Sequence, residues 1–158
     1  MDTAISNQTQ VPLRAVRMED PHAALGVAVR LFLDDDKFAR LTFGHWGSTL
    51  LGQINRDHYH FIIQGSEVVG FLGWCLTDEA HADAWAAGAD LPFEFSKTGE
   101  CLIINAWVAR TRAVNRFVLQ EARAIGKDQK WVYFKRYYGD GRTRHMKLSV
   151  NEFAGSHV

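Results

Sequence analysis

Two cysteines and three prolines in 158 residues are the first shortages of this sequence. Cys75 and Cys101 both lie inside apolar runs, where a thiol packs reduced and buried, so a disulfide scaffold is not expected. No stretch approaches eighteen consecutive apolar residues, which removes the membrane-spanning helix from consideration. Met1 to Gln10 is polar and lacks the basic-then-apolar pattern of a secretory signal, so the expected location is the cytoplasm. Also missing are the P-loop, the Gly-rich dinucleotide fingerprint, Gly-x-Ser-x-Gly and Cys-x-x-Cys, along with the chemistries that those motifs carry. Net charge is absent as well, with 18 Lys and Arg against 18 Asp and Glu.

What is present is an ordinary globular composition, 47% apolar and 23% charged. The length fits one domain, expected over residues 13–150, with a loose lead over 1–12 and a loose tail over 151–158. The balanced charge is unevenly placed. Residues 1–109 carry 7 Lys and Arg against 14 Asp and Glu, and residues 110–158 carry 11 against 4. A basic second part either meets an acidic partner or neutralises the first part within the fold.

Asp20 before Pro21 reads as a helix cap and first-turn proline, and Leu25, Ala28, Val29, Phe32 and Leu33 follow at helical spacing. Asp34-Asp35-Asp36 ends that run; the blander reading is a solvated helix end, not a cation site. A second helix is expected over Phe43–Ile54 despite Gly44, Gly47 and Gly52. Strands are expected over His58–Gln64 and Val68–Leu76, joined at Gly65-Ser66-Glu67 as an antiparallel hairpin. A short helix capped by Thr77 or Asp78 and a third strand over Cys101–Ala109 come next. Ala113–Ile125 is the clearest amphipathic helix, with Gly126 as its stop and Glu121 at the edge of its apolar stripe. Trp131–Tyr138 and Arg142–Val150 flank Gly139-Asp140-Gly141, a second hairpin. The fold class is therefore α/β (α+β), with helices on a mostly antiparallel central sheet.

Chemistry is sparse. His58 and His60 share a strand face and are the nearest thing to a metal pair, but no third ligand stands at a regular spacing, so no metal is expected. Lys135, Arg136, Arg142, Arg144 and Lys147 are interleaved with Tyr133, Phe134, Tyr137 and Tyr138 around the second hairpin. That mixture suits single-stranded nucleic acid by charge and stacking, and equally suits aromatic packing in the core.

Several stretches in order resemble the RTX toxin-activating lysine acyltransferases, the hemolysin-activating proteins. They are Leu25-Gly26 through Leu31, Leu50-Leu51-Gly52-Gln53-Ile54 with Tyr59 after it, Val68 to Cys75, Gly99-Glu100 with Trp107-Val108-Ala109, and Gly139 to Arg142. The resemblance runs from about Leu25 to Leu148. It implies a GNAT-like single domain with helices on both faces of the sheet. It also implies fatty acyl transfer from acyl carrier protein to a lysine-containing protein acceptor, with no bound cofactor and acyl-acyl carrier protein as donor. The basic residues Arg110, Arg112, Lys135, Arg136, Arg142 and Arg144 would meet that acidic carrier.

The family's catalytic pair does not carry over. Its His position falls on Phe38 (Lys37 with a one-residue slip), and its Asp position falls on Ala106. Asn105 is the neighbour of Ala106, and strand alternation puts it on the opposite face. A base is required beside the thioester, and His45 on the following helix is the candidate, with His58 and His60 behind it. His45 and Asn105 are thus the candidate catalytic residues, and Cys75 or Cys101 as an acyl-accepting thiol ranks lower. Three readings follow: an acyltransferase with a rearranged site; a non-catalytic module that binds acyl carrier protein, an acyl chain or another protein; and, third, nucleic-acid binding through the basic hairpin. A homodimer is compatible with each.

Overall fold

The computed structural model describes residues 10–155. Six strands form one sheet in sequential order: β1 (Leu13–Val16), β2 (Tyr59–Gln64), β3 (Glu67–Thr77), β4 (Cys101–Ala109), β5 (Trp131–Tyr137) and β6 (Thr143–Ser149). Every neighbouring pair is antiparallel except β4 and β5, which run parallel because α5 (Arg112–Gly126) makes the crossover between them. The other helices are α1 (Pro21–Leu33), α2 (Asp36–Ala39), α3 (Phe43–Asn55), α4 (Glu79–Ala86) and α6 (Val150–Gly155).

Local chemistry accounts for the helix starts. Asp20 accepts from the backbone N–H groups of His22 and Ala23 at 2.8 and 3.2 Å, with Pro21 in the first turn. Asp78 caps α4 through His81 N–H, and Thr111 caps α5 through Val114 N–H. Gly126 is the last residue of α5, with no left-handed stop after it. A Cβ there would lie 3.0 Å from Leu102 Cδ2, so the glycine suits the close approach of helix and sheet.

The sheet is covered on both faces. α1 and α3 cover one side through Phe32, Trp46, Leu50 and Ile54, which meet Phe61 and Phe71 from the sheet. α5 and α6 cover the other through Val114, Val118 and Phe153, which meet Leu72, Leu102 and Val132. Fully burying each such side chain is worth about 1.5–3 kcal/mol. Cys75 and Cys101 are buried free thiols, as expected from the apolar runs around them.

Three expectations need correction. Asn151 to Gly155 is not a loose tail: it belongs to α6, where Phe153 is 1% exposed and packs against Phe134. Asp35 does not merely end α1; its carboxylate accepts from Lys37 N–H and starts α2. Leu13–Val16 is a paired edge strand, where the sequence offered no recognisable alternation. The expected lead over 1–12 lies outside the described residues up to residue 9, as does the end of the tail from residue 156.

Candidate active site

The site begins with a flaw in β4. In the β3–β4 ladder Gly73 stands opposite Ala106 and Trp74 opposite Ile104, so Asn105 is an extra residue without a partner. This is a β-bulge, and it turns two successive side chains toward one face. Ala106 packs into the cluster under α1 and α3, and Asn105 hydrogen-bonds to Gln53 of α3. The expectation that Asn105 and Ala106 face opposite sides is therefore overturned.

The bulge also ends the pairing of β4 with β5. Their parallel ladder runs from Cys101–Trp131 to Ile104–Phe134 and stops there. Beyond it the strands diverge, and residues 105–109 of β4 face an opening instead of a neighbour. A cavity of about 320 Å³ fills that opening. Trp107, Asn115 and Phe134 line it on the α5 side, and Phe32, Phe38, Trp46 and Leu50 line it on the α3 side, so it passes through the sheet. Its walls are largely apolar, and Lys37, Lys135 and Arg136 supply the cationic residues.

A second cavity of about 390 Å³ lies between α3 and the segment 90–93, and shares His45, Thr49, Trp85 and Asn105 with the first. Thus His45 and Asn105 come together at the wall between two cavities, with His45 exposed in the first turn of α3. Behind that wall lies a buried polar chain. Gln53 Nε2 donates to Asn105 Oδ1, and Asn105 Nδ2 donates to Cys75 Sγ at 3.5 Å. Arg56 donates to the same sulfur at 3.0 Å, to the Trp74 carbonyl at 3.1 Å and to Ser96 Oγ at 3.1 Å. Burial pushes the Cys75 thiol up and pulls the Arg56 guanidinium down, each against the pull of the other. Cys75 is thereby held as a hydrogen-bonded thiol. Burial also pushes the Tyr137 phenol up, so this cavity residue stays protonated at neutral pH. Gly73 is required here, since a Cβ on it would collide with the Gln53 amide lying across it.

Phe38, which the sequence resemblance sets at a His position, is 7% exposed and packs edge-on against Phe32 with centroids 4.6 Å apart. His58 and His60, the reserve bases, are not at the cavity. Both flank Trp74 on the α5 side, His58 stacked at 5.7 Å and His60 paired with Glu121 at 3.2 Å. Glu121, which interrupts the apolar stripe of α5, is there for His60. Burial and the charges of Arg56 and Arg17 lower His58 to about 4. No group of three or more metal-type side chains occurs among the described residues. Cys101 is fully buried and pushed up to about 11, far from nucleophilic.

The basic residues gather by topology. Because β4 and β5 are parallel, their C-terminal ends lie at the same end of the sheet. Arg110 and Arg112 follow β4, Lys135 and Arg136 close β5, and Arg142 and Arg144 return along the hairpin, with Arg144 opposite Arg136. Several are already engaged: Arg110 with Asp34 at 3.1 Å, Arg142 with Asp140 at 2.6 Å, and Lys135 over the Trp85 ring at 5.1 Å. Of the four aromatics interleaved with them, Tyr133 is fully buried and Phe134 is 7% exposed, whereas Tyr137 and Tyr138 stand exposed at 43% and 36%. Gln53, Arg56 and Trp85 were not anticipated as site residues, and Tyr137 was expected only among the aromatics of the basic hairpin. A polar Asn within an apolar strand and a Gln on the apolar stripe of a helix were the available signals for the polar chain.

No family model matches the sequence, and no curated protein matches it. Among solved structures, the chain is similar to an acetyltransferase from Thermus thermophilus, at 16% identity and a TM-score of 0.50 over 81% of this chain and 79% of that one. It is also similar to the loading GNATL domain of CurA from Lyngbya majuscula, at 13% identity and a TM-score of 0.53 over 80% of this chain. The match spans 64% of that second chain's length. At these identities the likeness is one of architecture, and the architecture is GNAT-like: a mixed six-stranded sheet with helices on both faces.

Proposed function

We propose that this protein transfers an acyl group from a thioester donor to an amine, with the donor's extended arm lying between the separated ends of β4 and β5. The observation that carries the reading is the through-sheet cavity beside the Asn105 bulge. A strand edge without a neighbour offers backbone N–H and C=O groups to an extended, amide-bearing ligand, as in β-strand addition. The amine nitrogen attacks the thioester carbonyl, the C–N bond forms, and the C–S bond breaks as the tetrahedral intermediate collapses. His45 takes the proton from nitrogen, and the Tyr137 phenol supplies one to the departing thiolate. Unpaired N–H groups of β4 beyond the bulge are the donors available to the developing oxyanion.

The donor we favour is acyl-acyl carrier protein, and the acceptor a lysine of another protein, as in the toxin-activating acyltransferases that the sequence resembles. The cationic end of the sheet around the cavity supports an acidic carrier, because opposite charge accelerates and orients docking. A second reading, a non-catalytic acyl-carrier or acyl-chain module of the same fold, is favoured by one observation. Ala106 stands where the family has its acid, and the Asn105 amide is already committed to Gln53 and Cys75.

Incubation with acyl-acyl carrier protein or acyl-coenzyme A, plus a lysine peptide, separates these readings. Thiol release matched by acylated peptide in mass spectrometry is the expected result. Carrier binding without transfer selects the second reading, and neither binding nor transfer overturns both.

A further inference from the structure

The second cavity differs from the first in its lining and in charge. On its α3 wall stand Gly44, Ser48 and Gly52, spaced four residues apart and so stacked on one helix face. None of them is larger than serine, while Leu91 and Phe93 form the facing wall. The small residues leave room along the helix, the cavity is partly apolar, and it shares His45 and Asn105 with the first. The first cavity is lined by three cationic side chains and no carboxylate. The second has Arg56, whose guanidinium is committed to Ser96, Trp74 and Cys75, and Asp90, which is exposed and has no ion-pair partner among the described residues.

We propose that this second cavity binds the acceptor as a primary alkylammonium group, with Asp90 as its specificity-determining partner. The inference rests on the acyl-transfer reading for its purpose, though not for its test. Positive charge at one mouth and a free carboxylate at the other sort the two substrates to opposite sides of the shared wall. An amine drawn in by Asp90 then lies in a partly apolar cavity that Arg56 and His45 both line. Away from the Asp90 carboxylate, which holds the ammonium form, desolvation and the Arg56 cation both lower its pKa. It reaches His45 more readily as the neutral nucleophile that a thioester requires.

Binding is measured on the intact protein by isothermal titration with n-hexylamine, with Nα-acetyl-lysine methylamide, and with n-hexanol as the uncharged isostere. Both amines are expected to bind about five- to tenfold more tightly than hexanol, and Asp90→Asn is expected to erase that preference. Binding of hexylamine without the lysine derivative assigns the site to free amines; binding of both assigns it to side chains as well. Gly44→Leu places a side chain where a Cβ meets nothing within 4 Å, and is expected to block both amines. Glu94→Gln, outside both cavities, is expected to bind like the parent. Equal affinity for hexanol and hexylamine, or an unaltered preference in Asp90→Asn, overturns the proposal. Amine binding with no thioester binding instead leaves this site standing and removes the acyl-transfer reading.

Discussion

The two halves of β4 differ in one respect, the number of neighbouring strands. Cys101 to Ile104 are clamped between β3 and β5, and none of the four is more than 6% exposed. Asn105 to Ala109 keep β3 as a neighbour and lose β5. One inserted residue makes that change, because the bulge interrupts the ladder and bends the strand away from its partner. The clamped half is a core strand whose worth is burial. The free half is an edge inside the molecule, and an edge is stable there only because α1 and α3 close over one of its faces. A single strand thus serves as foundation at one end and as binding surface at the other.

The largest effect should come from the clamped half. Leu102→Ala removes a fully buried side chain between β4 and α5, and is expected to cost about 3 kcal/mol by denaturant unfolding. A cost below about 1 kcal/mol would mean that the foundation lies elsewhere. Asn105→Ala addresses the boundary between the halves. It strips Gln53 Nε2 and Cys75 Sγ of a partner, and should cost about 1–2 kcal/mol. If the bulge positions the free edge, acyl transfer should fall at least about tenfold with donor binding weakened much less, the pattern of a positioning defect. Loss of stability without any change in donor binding or transfer would detach the bulge from function.

Both halves of β4 were legible in the sequence as strand, and the missing neighbour of the second half was not. Cys101 to Ala109 announce a strand through a largely apolar run interrupted by Asn105, and Asp20-Pro21 announces a helix start through a side-chain oxygen beside a preset φ. Those signals are local. The parallel pairing of β4 with β5 depends on where α5 lands, which neither strand encodes. Beside the bulge Gln53 lies across Gly73, a contact between residues of different elements that no period records. Alternation assigned Asn105 to the wrong face because alternation presumes a regular ladder. Phe153 was missed because one apolar residue in a polar tail carries no period, and β1 because four residues at an edge are too few to show one.

Acid should weaken the clamped half by a route that leaves the cavity untouched. His58 stacks on Trp74, which stands opposite Ile104, the last clamped residue. Its folded pKa is about 4, against an ordinary value of 6.5, because burial and then the charges of Arg56 and Arg17 oppose protonation. The unfolded chain therefore binds the extra proton first. Stability is intact above about pH 6.5 and declines as pH falls toward 4. For a half-buried ring the loss should be on the order of 1 kcal/mol, and His58→Gln should flatten the profile over that window. An unchanged slope in the variant would move the acid sensitivity to other groups.

The smallest stability effect is expected at the cationic end of the sheet, and its smallness is informative. Arg142 pairs with Asp140 inside the β5–β6 turn and its side chain is 76% exposed, so Arg142→Ala should change stability by less than about 0.5 kcal/mol. The same substitution removes one charge from the face beside the cavity. If that face receives an acidic carrier, association should slow severalfold at low salt, and the difference should shrink as salt rises toward physiological strength. Dissociation should hardly change, because an exposed charge steers the encounter more than it holds the complex. A salt-independent loss, or one confined to dissociation, would instead make Arg142 a direct contact and extend the binding surface from the free half of β4 onto the hairpin.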